Sequence, residues 1–148
     1  MIKYLLPAKL ITLLVFIVDQ SIKTIFVNGY EYHNIYFSLE LHYNTGVAFS
    51  MFAFLGEYLK YIQIGILIFV IYYALQHKEI LKKSIIPFAI FLGAGLSNVY
   101  DRFIHTGVVD YFYWHYWFDF AVFNLADVLI NFSFLLFVII YFVNFRKK

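Results

Sequence analysis

Long apolar stretches alternate along the chain with shorter segments that mix polar and aromatic residues. Four of the apolar stretches have the length that a helix needs to cross a bilayer core of roughly 30 Å. They cover residues 5–27, 58–76, 85–103 and 121–143. Lipid offers no hydrogen-bond partners to an unpaired backbone. The pattern therefore predicts an all-α membrane protein with four transmembrane helices.

Composition agrees with this prediction. Of the 148 residues, 64% are hydrophobic and 14% are charged, against about 45–50% and about 25% in typical soluble domains. We expect a single integral membrane domain over residues 1–148. The absence of cysteine excludes disulfides and thiolate nucleophiles. A net charge of +2 with scattered carriers does not favour nucleic-acid binding.

Lysine and arginine are distributed unevenly between the connections. Residues 28–57 and 104–120 contain neither. The two ends of the chain and the loop between the second and third spans carry Lys3, Lys9, Lys78, Lys82, Lys83, Arg146, Lys147 and Lys148. Positive residues favour the cytoplasmic side. We therefore expect cytoplasmic termini and two extracytoplasmic connections. No small-residue cleavage motif follows Val18, so the first span is expected to be retained.

The two extracytoplasmic connections are rich in aromatic residues. Residues 30–43 mix aromatic and polar positions and predict short strands at the membrane interface. Residues 111–120 are mostly aromatic, which is typical of the headgroup layer. Two compatible interpretations remain for this second segment, an aromatic belt and a platform beside a site.

Polar residues within the predicted spans lie at similar depths. Given a rise of about 1.5 Å per residue and the alternating direction of the spans, five of them lie about 5 to 12 Å below the outer ends of their helices. These are Asp19, Lys23, Asn98, Asn124 and Asp127. Asp101 and Arg102 lie near the outer end of the third span. Charged groups in a bilayer are costly and mark functional sites, so we expect one shallow site in the outer half of the membrane.

A second carboxylate is expected to reach this site from outside. Asp110 follows a turn-like segment, residues 105–107, and can fold back towards Asp127. Two neighbouring carboxylates share one proton near neutral pH. One then activates water while the other donates a proton, which is aspartic-protease chemistry and requires no metal or cofactor.

Five short motifs occur in order along these segments. They are DQSIK at 19–23, NTGVAFS at 44–50, GAGLSNVYDR at 93–102, GVVDY at 107–111 and FNLAD at 123–127. With them, nearly the whole chain resembles the lipoprotein signal peptidase family, also called signal peptidase II. Ser97 stands where the family usually has Gly, and Tyr111 where it usually has Phe.

The resemblance implies a catalytic pair, Asp110 and Asp127. Further substrate-binding or supporting positions fall on Asp19, Lys23, Asn44, Gly46, Asn98, Arg102, Asn124 and Ala126. It also implies a small extracytoplasmic β-cradle built from residues after Val27, and a short interfacial flap within residues 104–120.

The implied enzyme cleaves lipid-modified prolipoproteins before the diacylglyceryl-modified Cys. It lies in the bacterial inner membrane with its active site near the extracytoplasmic face. It contacts membrane lipid, and we expect a monomer without metal or cofactor.

Several charged residues allow a structural interpretation beside the functional one. Asp19 and Lys23 are spaced for an ion pair within one helix, or for direct substrate contact. Arg102 can extend to the interface or pair with Asp101, or support the site. Four histidines lie outside, but none has metal-ligand spacing on a helix.

The asparagines also have alternatives. Asn124 can cap the fourth span or serve the site, and Asn44 with Gly46 can form a turn or bind substrate. Asn131 is expected to form a helix–helix hydrogen bond.

Two other functions remain open from the residues alone. A proton-coupled transporter would use Asp19, Lys23 and Asp127 as a relay. It predicts polar groups towards the cytoplasmic side, whereas residues 10–18 and 135–143 are almost wholly apolar. A non-catalytic assembly partner is the third interpretation.

Overall fold

The computed structural model describes residues 2–46 and 51–145, which form five helices and a three-stranded sheet. The elements in chain order are α1 (Ile2–Val27), β1 (Tyr32–His33), β2 (Phe37–Asn44), a 3₁₀ turn (Ala53–Leu55), α2 (Tyr58–Gln76), α3 (Lys78–Lys83), α4 (Ile85–Ile104), β3 (Val108–Trp114) and α5 (Leu125–Phe145). The Lys3 side chain, the C-terminal cations Arg146, Lys147 and Lys148, and the last four residues of the motif at 44–50 lie outside the described residues.

Three helices are long and apolar enough to cross a membrane, over Leu5–Val27, Tyr58–Gln76 and Leu125–Asn144 in the described part of the chain. Helix α4 has 20 residues and so has a comparable length. Its C-terminal part carries Asn98, Asp101 and Arg102, which lower its mean hydropathy. Length and composition thus identify three of the four expected spans.

Helix α4 lies at the centre of the bundle and packs against α1, α5 and α2. Its contact with α1 is close at Gly93, where an added Cβ would lie 2.6 Å from the carbonyl oxygen of Thr12 and 2.8 Å from Val15 Cβ. One turn earlier, the Thr12 hydroxyl donates to the carbonyl of Ala89 at 3.0 Å. The small residue at 93 therefore allows the two backbones to approach.

The three strands form one antiparallel sheet in the order β1-β2-β3. Strands β1 and β2 follow Val27, as expected for the cradle. Strand β3 pairs with β2 from Phe37–Trp114 to Asn44–Val108. Residues 108–114, whose β-branched and aromatic residues favour a strand, thus form the third strand of the sheet. The expected flap within residues 104–120 stays a prediction.

Helix α5 begins at Leu125, four residues after the predicted start at 121. The preceding residues stay extended because Phe123 pairs with Phe112, through N–H to carbonyl bonds of 2.9 and 3.1 Å. This later start places Asp127 in the first turn of α5.

Gly93→Ala should destabilise the bundle, because the new methyl group would press on the α1 backbone. Overpacking of this kind typically costs about 1–3 kcal/mol. The matched control is Gly65→Ala in α2, where an added Cβ meets nothing within 4 Å. Unfolding in detergent measures both variants. Equal stability of the two would contradict the close α1–α4 contact.

Candidate active site

The structure brings the two predicted carboxylates to one cavity. Asp110 lies on β3 and Asp127 lies on α5, and both line a cavity of about 510 Å³. Asn44, Asn98 and Arg102 line it as well. Strand β3 and the start of α5 thus present both carboxylates to the same space.

Asp127 is fixed by reciprocal capping at the start of α5. The Asn124 side-chain oxygen accepts from the Asp127 N–H at 2.9 Å, and Asp127 Oδ2 accepts from the Asn124 N–H at 3.1 Å. This is the pattern of a capping box, with Asn and Asp in place of the usual residue types. The positive end of the helix dipole also favours a carboxylate here.

The next two N–H groups of α5 are bound by side chains from other elements. Leu125 N–H donates to the Tyr111 hydroxyl at 3.0 Å, and Ala126 N–H donates to Asp19 Oδ1 at 2.8 Å. Burial is the largest cause that raises the pKa of Tyr111 to about 12, so its hydroxyl stays protonated at neutral pH. The predicted position Ala126 thus serves through its backbone N–H, and its side chain is fully buried.

Asp110 is buried and accepts hydrogen bonds from two asparagines. Asn44 Nδ2 donates to its Oδ2 at 3.0 Å, and Asn124 Nδ2 donates to its Oδ1 at 2.7 Å. The β2–β3 register explains the first contact, because Asn44 pairs with Val108, two residues before Asp110 on the same face. Asn124 therefore caps α5, which confirms the structural interpretation, and also contacts Asp110.

Burial raises the pKa of Asp110 to about 7, with the negative charge of Asp127 as the second cause. The hydrogen bonds from Asn44 and Asn124 and the positive charge of Lys23 act in the opposite direction. A carboxyl group in this range can hold or release a proton near neutral pH.

A buried cation, Lys23, lies near enough to the two carboxylates to act on both electrostatically. Lys23 Nζ is 2.7 Å from Asp19, 2.7 Å from Asp101 and 2.8 Å from Asn98 Oδ1. These three acceptors match the three protons of the ammonium group. The predicted ion pair between Asp19 and Lys23 is confirmed. Asp101 pairs with Lys23 and not with Arg102, so that suggested pairing is wrong.

Asn98 connects the buried cation to the catalytic candidate on α5. Its side-chain oxygen accepts from Lys23, and its Nδ2 donates to Asp127 Oδ1 at 2.9 Å. Because an ammonium group can only donate, Lys23 fixes the orientation of the Asn98 amide. The donor end of that amide therefore points to Asp127.

Arg102 holds the turn that carries Asn44. Its guanidinium donates to the carbonyl of Gly46 and, through Nε, to Gln63 Oε1 on α2 at 2.9 Å. The Gly46 N–H donates to Asn44 Oδ1 at 3.0 Å, which closes an Asx turn. Arg102 thus supports the site, and Asn44 both forms the turn and binds Asp110.

Three contributors to the site are not predicted by the sequence pattern. Asp101 was recognised as charged but given the wrong partner, and it also accepts from the Val109 N–H at 3.1 Å. Gln20 donates to Asp101 at 2.7 Å and to Ser97 at 2.8 Å. Gln63 lines the cavity from α2. The available signal for Gln63 was that it is one of few strongly polar residues in an apolar span, beside Lys60 and Gln76.

No group of three acidic or histidine side chains that could hold a metal occurs in residues 2–46 and 51–145. The side chains of the cavity that can transfer protons are its two carboxylates, and amides surround them. One carboxyl that titrates near neutral pH beside a second carboxylate can supply a general acid and a general base.

Lys23→Met should destabilise the protein strongly, because it leaves Asp19 and Asp101 buried without a cation. Breaking one side of a buried ion pair costs roughly 3–5 kcal/mol. The control is Lys82→Met, which removes a surface pair with Glu79 at 2.7 Å and should cost less than about 1 kcal/mol. Detergent unfolding compares the two variants. A similar small loss in both would contradict the structural importance of Lys23.

The curated relatives are close in sequence. A lipoprotein signal peptidase of Campylobacter jejuni subsp. jejuni serotype O:6 is 47% identical over 135 residues, covering 91% of this chain and 86% of that protein. The lipoprotein signal peptidase of Sulfurimonas denitrificans is 52% identical over 134 residues, with 90% and 84% covered.

Solved structures share the fold. A bacterial membrane enzyme determined by the in meso method aligns with a TM-score of 0.78 at 23% identity, covering 96% of this chain and 92% of that one. A second such structure gives a TM-score of 0.74. The family model described as signal peptidase (SPase) II matches residues 11–143. The chain therefore belongs to the signal peptidase II family and is a membrane protease of that type.

Proposed function

We propose that this chain is an aspartyl endopeptidase of the bacterial inner membrane. It removes the signal peptide from lipid-modified prolipoproteins by cutting before the diacylglyceryl-modified Cys. The observation that carries the proposal is that Asp110, with a pKa raised to about 7 by burial and by its neighbour, shares a cavity with Asp127. The curated relatives are named lipoprotein signal peptidases, which supports the substrate class.

The two carboxyl groups hold one proton between them at neutral pH. The ionised carboxylate takes a proton from water, and the water oxygen attacks the carbonyl carbon of the substrate amide. The protonated carboxyl gives its proton to the carbonyl oxygen, which yields a neutral tetrahedral diol. When the C–N bond breaks, the proton taken from water passes to the leaving nitrogen, and the diol returns the other proton to its carboxylate.

The surrounding amides orient the acids. Asn44 and Asn124 donate to Asp110, and Asn98 donates to Asp127. These bonds hold both carboxyl groups before substrate arrives, which lowers the reorganisation needed in the transition state. Asp19 binds the backbone N–H of Ala126, and Lys23 binds Asn98. Both residues therefore act indirectly, and we assign them positioning roles.

We further propose four membrane crossings within one integral domain. The 20 residues of α4 span about 30 Å, and its polar residues Ser97, Asn98 and Asp101 are turned into the bundle. Lys78, Lys82 and Lys83 lie on α3 between α2 and α4, whereas the sheet connects the opposite helix ends. The positive-inside rule then places α3 in the cytoplasm and the sheet and cavity near the extracytoplasmic face.

The lipid anchor of the substrate brings the scissile bond to this depth. Capture by lateral diffusion in the membrane replaces an encounter in three dimensions, and the anchor restricts the orientation of the peptide. Exposed aromatic residues near the cavity, Trp117 and Phe118 among them, suit the headgroup layer where the anchor begins. The chain acts as a monomer in this scheme and needs no cofactor.

Asp110→Asn and Asp127→Asn should each lower the cleavage rate of a lipidated precursor by at least about a hundredfold, because each removes a group that transfers protons. The control is Asp119→Asn, which changes an exposed carboxylate bonded to Tyr113 at 2.7 Å. Cleavage by purified protein in detergent is the measurement.

Wild-type rates in either cavity variant, with folding intact by thermal unfolding, would refute the catalytic pair. The same assay compares lipidated with unlipidated precursor. Equal kcat/KM for the two substrates would refute the role of the lipid anchor while leaving the acid pair in place.

The pH profile of kcat/KM should fall on the alkaline side near pH 7, because the pair then loses its remaining proton and with it the general acid. The hydrogen bond from Asn44 stabilises the ionised form of Asp110 and so lowers its pKa. Asn44→Ala should therefore raise that pKa and move the alkaline limb to higher pH. An unchanged limb, or a shift to lower pH, would contradict this assignment.

A further inference from the structure

Asn131 is a polar residue on the exposed side of the apolar helix α5. The expectation of a helix–helix hydrogen bond is wrong. Its Nδ2 donates to the backbone oxygen of Asp127 on its own helix at 2.9 Å, and its Oδ1 has no partner among residues 2–46 and 51–145. An unpaired amide oxygen within an apolar span is a costly group, and it leaves an acceptor that another molecule can use.

The position of Asn131 relative to the acid pair suggests that role. It lines the same cavity as Asp110 and Asp127, flanked by the apolar side chains of Val128 and Ile130. It follows Asp127 by four residues, which places it about 6 Å further along α5. The cavity therefore extends from the acid pair down the flank of α5, and Asn131 provides a polar group in that part of its wall.

A substrate in this part of the cavity needs polar partners. A peptide bond within a helix is shielded by its neighbours, so the chain around the cut bond must be extended for water to attack. The N–H and C=O groups of that extended segment lose their helical partners in a region that lipid surrounds. At about 3.3 Å per residue, 6 Å along α5 corresponds to roughly two residues of extended chain.

We propose that Asn131 binds the main chain of the signal peptide, about two residues before the cut bond. Its Oδ1 accepts from a substrate N–H, while its Nδ2 stays bonded to Asp127 O and thereby keeps the amide oriented. Asn131 is thus a specificity-determining residue that selects an extended backbone. This inference rests on the proposed function, because that function sets the direction of the substrate along α5.

The matched control lies on the same helix. Asn144 Nδ2 donates to the backbone oxygen of Ile140 at 2.9 Å and is exposed, which reproduces the local bonding of Asn131 away from the cavity. Asn131→Leu should lower kcat/KM for a lipidated precursor peptide about three- to tenfold, the typical effect of one hydrogen bond, mainly through KM. Asn144→Leu should leave kcat/KM unchanged.

A second measurement identifies the bond itself. Lipidated peptides carry a single ester in place of one amide, at each of the three peptide links that precede the cut bond, so that one N–H is removed at a time. At one position the wild type should lose about three- to tenfold in kcat/KM, and Asn131→Leu should show no difference between ester and amide. The ratio within each enzyme does not depend on the fraction of folded protein.

Three results would overturn the inference. They are an unchanged kcat/KM in Asn131→Leu, an equal loss in Asn144→Leu, and ester sensitivity that is the same in wild type and Asn131→Leu at every position. Failure of the proposed function looks different, since the wild type would then not cleave the precursor, or Asp110→Asn would cleave it normally.

Discussion

The ammonium group of Lys23 lies inside the helix bundle, where a charge requires partners. Its three protons meet Asp19 on its own helix and Asp101 and Asn98 on α4. Asp19 also accepts from an N–H group in the first turn of α5. One cation thereby joins α1, α4 and α5 at the level of the site. The positions of both catalytic candidates depend on this junction.

The start of α5 shows how folding and chemistry use the same bonds. Its first three N–H groups donate to Tyr111, Asp19 and Asn124, each in a different part of the chain. These caps fix the first turn, and the first turn carries Asp127. Tyr111 supplies a hydroxyl that phenylalanine could not provide. The N–H groups at a helix start lack partners within the helix. Here, side chains from other segments bind them, and the bonds fix the position of a carboxylate.

Much of the site could be predicted because helix geometry converts sequence position into depth. Asp19, Asn98 and Asp127 were expected in one layer, and the structure brings them together. Residues whose positions depend on tertiary pairing are harder to place from the sequence. The strand that carries Asp110 is defined by its pairing with β2, and the start of α5 is set by a bridge between Phe112 and Phe123. No local pattern reveals either pairing. Asn44 forms a turn and also donates to Asp110, and Asn124 caps α5 and also donates to Asp110, because one amide can accept at one end and donate at the other. Binding of substrate by Asn44 stays a prediction.

The proposed mechanism requires that Asp110 and Asp127 hold a single proton near neutral pH. Infrared difference spectroscopy of the purified protein measures it through the carbonyl stretch of a protonated carboxyl group. We expect such a band at pH 6, lost with an apparent pKa of about 7 and absent at pH 6 in the Asp110→Asn variant. If no carboxyl group stays protonated above about pH 5, where ordinary aspartates are ionised, the two aspartates do not share a proton and the mechanism is wrong.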